Sequence, residues 1–416
     1  MGTSINLRGL GADATLTLVN GRRLAGGGYM GDLADVSAIP SAAVDRVDVL
    51  LDGASALYGA DAVAGVVNVI MRHSFDGFES RARVAAAQGG LEDMMVSQFA
   101  GRTWSSGSAL VSYEYQRVKP LNALDRPYTA DGDLRRFAGT SQGGIFASPG
   151  NIVDYDPSVG AYVPSYAIRP GANGSATSPA DFEAGAINFS ATLLGADLAP
   201  NIERHSLYAR ARQSFGDRFE MSADVRFNIR DWSVANSPAA STFTVTNANP
   251  YFVSPTGASS HQIAYSFYGD LDNPRRGGRN RSLGVTLGGS YALTDNWSLD
   301  GYLAFADERE GRDTYGLINS AFLSEALGSG VNSDAVLSFI SSGYSRFVDR
   351  GRAESANLML EGSVYDLPGG PVQTAVGVQY RREGFGTRYE ALTASVAPVF
   401  GTTPLRYRSI AAVFGE

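Results

Sequence analysis

From Ser80 onward, apolar and polar side chains alternate with a period of two in ten separate stretches. Phe219–Asp231 is the clearest. One phase holds Phe219, Met221, Ala223, Val225, Phe227 and Ile229, and the other holds Glu220, Ser222, Asp224, Arg226, Asn228 and Arg230. Leu283–Leu293 repeats the pattern, with Leu283, Val285, Leu287, Tyr291 and Leu293 against Gly284, Thr286, Gly288 and Ser290. Ala109–Arg117, His205–Phe215, Trp297–Glu308, Ala356–Tyr365 and Gln373–Glu383 follow suit. Ser80–Gln88, Met94–Trp104 and a last stretch from about Ser409 are weaker. This period is that of β-strands whose two faces meet different media.

The lengths and the links between these strands separate two settings. Strands of a soluble sandwich average about 5–6 residues, whereas these run to roughly 11–14, and at ~3.3 Å per residue the longest reach about 40 Å, enough to cross a bilayer at a tilt. Trp104–Gly107, Phe215–Phe219, Leu293–Trp297 and Leu367–Gly370 are tight turns. Between them lie the long links Pro120–Glu203, Ser233–Asn280, Gly311–Arg350 and Gly386–Arg408. Only the first hairpin, through Gly89–Asp93, has a short link on the long-link side. In an up-and-down barrel alternate links share a rim, so one rim is all turns and the other carries loops, as in outer-membrane barrels. Trp104, Phe215, Phe219 and Trp297 flank the turns, and Tyr113, Tyr115, Phe227, Phe305 and Tyr380 lie toward the loops. Two aromatic levels fit the girdles of a lipid-facing wall.

Composition sharpens this picture. The chain has 49 Gly, 20 Tyr, 20 Phe, 18% charged residues and a mean hydropathy of −0.10. No window holds the ~18 consecutive apolar residues of a membrane helix, and alternating strands leave no hydropathy peak. The absence of Cys removes disulfides, thiol nucleophiles and thiolate metal sites. A net charge of −8 and no basic stripe argue against nucleic acid as a partner.

The head of the chain is different. Arg46–Arg72 reads RVDVLLDGASALYGADAVAGVVNVIMR, two β-branched runs (Val47–Leu51 and Val66–Met71) around a segment of Gly, Ala, Ser and Asp. Gly53, Gly59 and Gly65 suit turns with positive φ. Upstream, Ile5–Gly9 (INLRG) predicts a strand, and Leu16–Leu24 (LTLVNGRRL) predicts a strand with an Asn20-Gly21 hairpin turn. With the Ile39-Pro40 pair, these residues resemble the plug-to-barrel junction of TonB-dependent outer-membrane receptors, specifically over Ser4–Arg72.

The resemblance implies a mainly β protein: a partial, small α/β plug domain (1–73) followed by about ten antiparallel strands (74–416) of an incomplete transmembrane β-barrel. About 22 strands surround a folded plug, no signal peptide opens the chain, and the TonB box and first half of the plug are missing. The expectation is therefore a truncated receptor, an open curved sheet around part of a plug. The function implied is active uptake of a scarce solute, such as an iron–siderophore complex, across the outer membrane of a Gram-negative bacterium. Its partners would be outer-membrane lipid, the solute and the TonB–ExbB–ExbD energy complex, with the barrel monomeric. A non-transporting outer-membrane barrel relic or surface-binding protein is the alternative reading. A soluble β-rich carbohydrate-binding protein would leave the head segment unexplained.

Catalysis and cofactors find little footing. His73, His205 and His261 are the only histidines, with no i,i+4 pair and no nucleophile–base pattern; no enzyme activity, cofactor or metal is expected. Gly26, Gly28 and Gly31 match G-x-G-x-x-G, but a hairpin precedes them and Pro40 follows, which suits a plug loop rather than a dinucleotide site. Asp154, Asp156 and Ser158 start like a calcium loop, yet Val159 and Ser165 occupy its sixth and twelfth positions. For Arg8 and Arg46, read as strand residues of the plug, the resemblance implies pairing with wall carboxylates, with Glu220, Asp224 and Glu361 on lumen-facing phases as candidate partners; the alternative is that these arginines are simply hydrated at a wet plug–barrel boundary. Asp48 stands where the family commonly has an acid, while Leu51-Asp52 replaces a frequent Arg-Gly step. Tyr29 at the tip of the Gly26–Met30 loop, and Tyr155, Tyr162 and Tyr166 in the longest loop, are the candidate ligand contacts, since tyrosine offers amphipathic area at low entropic cost.

Overall fold

In a computed structural model of the chain, residues 2–28, 31, 33–51, 58–169, 176, 178–328 and 332–415 are described. The fold is mostly β, with 61% of residues in strands and 10% in helices. No helix among the described residues is long and apolar enough to cross a membrane.

The head of the chain folds into a four-stranded mixed sheet. Its strands are β1 (Thr15–Val19), β2 (Arg22–Arg23), β3 (Val44–Leu50) and β4 (Gly65–Met71), in the order β2-β1-β4-β3. The Asn20-Gly21 signal forms the expected turn, with φ of 50° and 75° at its two positions, the conformation a two-residue hairpin favours. Two asparagines lock it to β4: Gly21 N–H donates to Asn68 Oδ1, and Met71 N–H donates to Asn20 Oδ1, both at 2.9 Å. β1 runs parallel to β4, and β3 antiparallel to it. Gly65 takes a φ of 133°, where an added Cβ would lie 2.6 Å from the Leu50 carbonyl, so the close approach of backbones does require a glycine there. Gly59 also has positive φ, and Gly53 lies outside the described residues.

Ile5–Gly9 departs from expectation. It forms no strand; Arg8 and Gly9 sit in a turn with φ of 57° and 70°. The apolar–polar alternation of INLRG is too short to outweigh that turn, and Leu7 N–H is taken by the Thr15 hydroxyl at 3.0 Å rather than by a neighbouring strand.

The rest of the chain supplies one ten-stranded antiparallel sheet, the wall. In chain order its strands are β5 (Gly77–Ala87), β6 (Leu91–Trp104), β7 (Gly107–Val118), β8 (Asn201–Phe215), β9 (Phe219–Ala235), β10 (Arg275–Thr294), β11 (Trp297–Leu317), β12 (Gly343–Leu367), β13 (Gly370–Leu392) and β14 (Val399–Gly415). Each pairs with its sequence neighbours, an up-and-down meander with β5 and β14 at its edges. All four tight turns fall where the alternation places them.

The strands are longer than their alternation suggests, reaching 25 residues in β12 and 23 in β13. The links shrink accordingly to 119–200, 236–274, 318–342 and 393–398, and the last, expected as a loop over Gly386–Arg408, is mostly ladder. Patterning records a difference between media. Beyond the alternating stretches the ladder continues through backbone pairing, which needs no two-faced pattern of side chains. The longest link carries its own elements, among them the hairpin Asn151–Asp156 and Ala161–Ile168, which joins a five-stranded sheet with strands from the next loop.

The burial of the wall is inverted relative to a soluble sheet. On β9 the polar phase is buried (Asp224, Arg226, Asn228 and Arg230), while Phe219 and Met221 of the apolar phase are exposed. Leu287, Leu303, Leu358, Val376 and Val378 are likewise outward and exposed. Apolar residues from both parts do meet in one cluster, where Val19, Ile39, Ala43, Val69 and Met71 pack on Phe99, Leu110 and Tyr208 of β6, β7 and β8. The head domain thus sits against the polar face of the wall.

Candidate plug–wall site

The 35–42 segment makes the densest polar contact with the wall. Asp35 caps the short 3-10 turn Val36–Ala38, accepting from Ser37 N–H at 3.0 Å, from its hydroxyl at 2.6 Å and from Thr3 N–H at 3.0 Å. Its second oxygen accepts from Arg230 Nη2 of β9 at 2.8 Å, and Arg230 also donates to the Ser37 hydroxyl. Burial alone would raise the Asp35 carboxyl, but Arg230, Ser37 and the Thr3 amide outweigh it and hold the carboxyl below its ordinary range.

Next along the wall, Arg204 of β8 donates to the Ser37 carbonyl at 2.6 Å and to Glu114 Oε1 of β7 at 2.9 Å. The other Glu114 oxygen accepts from the Ser41 hydroxyl at 2.7 Å and from Ala42 N–H at 3.4 Å. Three adjacent strands therefore hold one stretch of eight plug residues through a single hydrogen-bonded chain. Within it, Arg204 Nε and Arg230 Nε are buried without a hydrogen-bond partner among the described residues, so the network is not fully satisfied.

Two further patches complete the contact. Arg22 of the hairpin stacks over Tyr302 of β11, its guanidinium 3.4 Å from the ring centre. Arg23 pairs with Asp61 at 2.6 Å, and Arg408 of β14 bridges Asp61 at 3.8 Å and Glu383 of β13 at 2.7 Å. The glycine-rich loop lies along the long-loop ends of β11, β12 and β13. Gly28 N–H donates to Glu310 at 3.3 Å, Gly26 packs backbone to backbone on Gly351, and a Cβ on Gly31 would meet the Phe385 ring at 2.5 Å. After this loop come an isolated bridge between Gly27 and Leu33 and a 3-10 turn, not the helix a dinucleotide site needs. A cleft of about 550 Å³ opens between the plug and β12–β14, lined by Arg352, Glu383, Phe385, Arg406, Tyr407 and Arg408 among others.

The residues singled out from sequence are placed differently. Arg46 is exposed on β3 and pairs with its own neighbours Asp45 and Asp48, each at 3.2 Å. Arg8 is exposed in its turn. Asp224 and Glu220 do face inward, but their cations are on the wall itself, Arg210 at 3.8 Å and Arg212 at 3.5 Å. Glu361 accepts from the Ser298 hydroxyl at 3.4 Å near the tight-turn rim. Asp48 stands on β3, and Asp52 lies outside the described residues, as does Tyr29. Tyr155 and Tyr162 are exposed and meet edge to face, their centres 5.5 Å apart, on the longest loop's hairpin; Tyr166 is half-buried on the same hairpin.

Asp35–Arg230 and Ser41–Glu114, two of the contacts that do join plug to wall, were not singled out. Arg230 is visible as a polar-phase residue of β9, and Asp35 fits the capping preference at a helical start; nothing in sequence couples them.

Comparison with known proteins bears on both parts. Residues 1–66 match the family described as TonB-dependent Receptor Plug Domain. Over 134 residues the chain is 31% identical to the vitamin B12 transporter BtuB of Photobacterium profundum, covering 32% of this chain and 21% of that one. The fold resembles the RagAB peptide importer in its open-open state, with a TM-score of 0.52 and 8% identity, covering 96% of this chain and 46% of that one. It also resembles the ferric enterobactin receptor PfeA of Pseudomonas aeruginosa (an R480A mutant in complex with enterobactin), with a TM-score of 0.49 and 12% identity, covering 98% of this chain and 51% of that one. The chain thus spans about half the length of the solved structures it resembles, and its match to the curated transporter covers a fifth of that protein.

Proposed function

We propose, from the match of residues 1–66 to the plug-domain family and the ten-stranded wall that follows, that the chain acts as part of an outer-membrane receptor that takes up a scarce solute actively. The inverted burial of the wall carries this reading. Apolar side chains exposed on one face suit hydrocarbon, and arginines and carboxylates buried on the other suit a hydrated plug. The membrane is the outer membrane of a Gram-negative bacterium, where barrels of this kind cross with strands. The solute belongs to the class of scarce chelates, an iron–siderophore complex or a cobalamin. The similarity to a vitamin B12 transporter and the arginine- and tyrosine-lined cleft beside the plug support that class. Tyr155, Tyr162 and Tyr166, with Tyr29 of the plug loop, are proposed as outer contacts for the solute. Energy would come from the TonB–ExbB–ExbD complex acting on the plug side.

The experiment is uptake of radiolabelled ferric siderophore and of labelled cobalamin by cells producing the complete gene product, with and without a protonophore. Accumulation of either label that the protonophore abolishes is the expected result. Binding at the surface with no energised accumulation of either would favour a surface-binding barrel, and recovery of the protein from the soluble fraction would refute a membrane role altogether.

A further inference from the structure

A second feature of the plug–wall contact does not depend on transport. Between the plug hairpin and strands β9 to β13 lies a small cavity of about 40 Å³, walled by Arg22, Arg23, Arg226, Tyr302, Gln379 and Arg381 among others. A water occupies about 10–15 Å³ of such space, so the cavity holds roughly three waters or one small ion.

The charges around it do not balance. Arg23, Arg381 and Arg408 share Asp61 and Glu383, and Glu354, which also lines the cavity, lies 3.9 Å from Arg382. Glu308 lines the adjoining pocket on the far side of Arg226, and the cation whose field it meets is Arg230, already engaged by Asp35. Among the described residues, that leaves Arg22, Arg210 and Arg226 around one carboxylate, Asp224, whose nearest cation is Arg210 at 3.8 Å. Arg226 is the sharpest case. It is only 8% exposed, and its Nε and Nη1 are buried without a hydrogen-bond partner. Arg22 Nε and Arg210 Nε are in the same condition. The wall makes room for this arrangement, because the residue paired across from Arg226 is Gly284, where a Cβ would lie 2.7 Å from Nη2. Uncompensated buried guanidinium is costly, since its charge is not neutralised and its N–H groups are left unmade.

We propose that this cavity binds one small inorganic anion, a halide or a tetrahedral oxyanion, which bridges Arg22 of the plug to Arg226 of the wall. The ion supplies the missing negative charge and accepts from the orphaned N–H groups, and guanidinium is the side chain best suited to hold it. It also ties the hairpin to the wall at the level where the Arg22–Tyr302 stack already holds it.

Crystals of the detergent-purified protein soaked in sodium bromide test the site directly. An anomalous peak in contact with Arg226 and Arg22 is expected, and its loss in Arg226→Gln. In parallel, thermal unfolding is followed with sodium sulfate replacing a large organic anion at fixed ionic strength. The midpoint should rise by a few degrees for the native chain and not for Arg226→Gln or Arg22→Gln. Gly284→Ala, which crowds the guanidinium without removing its charge, should weaken sulfate's effect and serves if Arg226→Gln does not fold. Ordered water alone at the site after the bromide soak, or a sulfate response that the variants retain, overturns the proposal.

Discussion

Asp35 of the plug and Arg230 of the wall meet at 2.8 Å, with side chains 7% and 5% exposed, although 195 positions separate them in sequence. A carboxylate and a guanidinium so deeply withdrawn from water depend on each other. Removing one leaves an uncompensated buried charge and costs about 3–5 kcal/mol, whereas replacing both with apolar residues of similar volume is often neutral. Asp35→Leu alone should therefore loosen the plug, and Asp35→Leu with Arg230→Met should restore much of the loss. A double-mutant cycle on chemical unfolding checks it; equal losses in single and double variants would count against the pair.

The same contact has a pH signature. Asp35 is held below its ordinary pKa in the folded protein, so its contribution is fully present above the unfolded value, near ~3.9, and is lost as pH falls through the lower folded one. Acid should release the plug's 35–42 segment below about pH 4, and Asp35→Asn should flatten that dependence. Hydrogen exchange of the Ser37 and Ala42 amides across pH reads it.

Outward positions should respond as lipid-facing ones. Leu303 is 61% exposed and pairs across the ladder with exposed Leu287. Leu303→Arg should cost about 2–4 kcal/mol of stability in lipid vesicles if it lies near the midplane, while a solvent-facing leucine would tolerate the change within about 0.5 kcal/mol. Unfolding in vesicles distinguishes the two.

The three tryptophans offer an optical check. Trp104 and Trp297 flank tight turns on the outward phase, whereas Trp232 is buried on the inward phase and donates to Asn280 at 3.2 Å. In single-tryptophan variants, lipids with brominated chains should quench Trp104 and Trp297 and leave Trp232 bright. Quenching of Trp232 alone would reverse the assigned faces.

Gly351 and Gly26 touch backbone to backbone, with no room for a Cβ on Gly351. Gly351→Val should push the glycine-rich loop off the wall at a cost of about 1–3 kcal/mol. Faster proteolytic cleavage near Gly26–Gly28 with an otherwise intact wall is the expected readout.

How much of this could be read from sequence follows from what patterning measures. The ten wall strands and four tight turns were legible because a sheet with one exposed apolar face and one buried polar face writes period-two alternation into residues such as Phe219–Arg230. The long-loop halves of β12 and β13 were not, because there the ladder persists through backbone bonds that leave no period-two pattern in the side chains. Ile5–Gly9 misled because a five-residue alternation carries less information than the positive φ that Arg8 and Gly9 adopt. Arg46 and Asp224 were recognised as charges needing partners, but which charge meets which is decided by packing. Arg46 found Asp45 and Asp48 beside it, while the plug–wall contact fell to Asp35 and Ser41.

The parallel pairing of β1 and β4 has a mechanical meaning. β4 continues through Arg72–Asp76 into the wall at its C-terminal end, and β1 is reached from the opposite, N-terminal side. A tug arriving from the N-terminus would slide these two ribbons lengthwise past one another, loading the bonds from Thr15–Gly65 to Val19–Val69 all at once rather than one after another. Traction would therefore spread across the small sheet as shear instead of peeling it from an end.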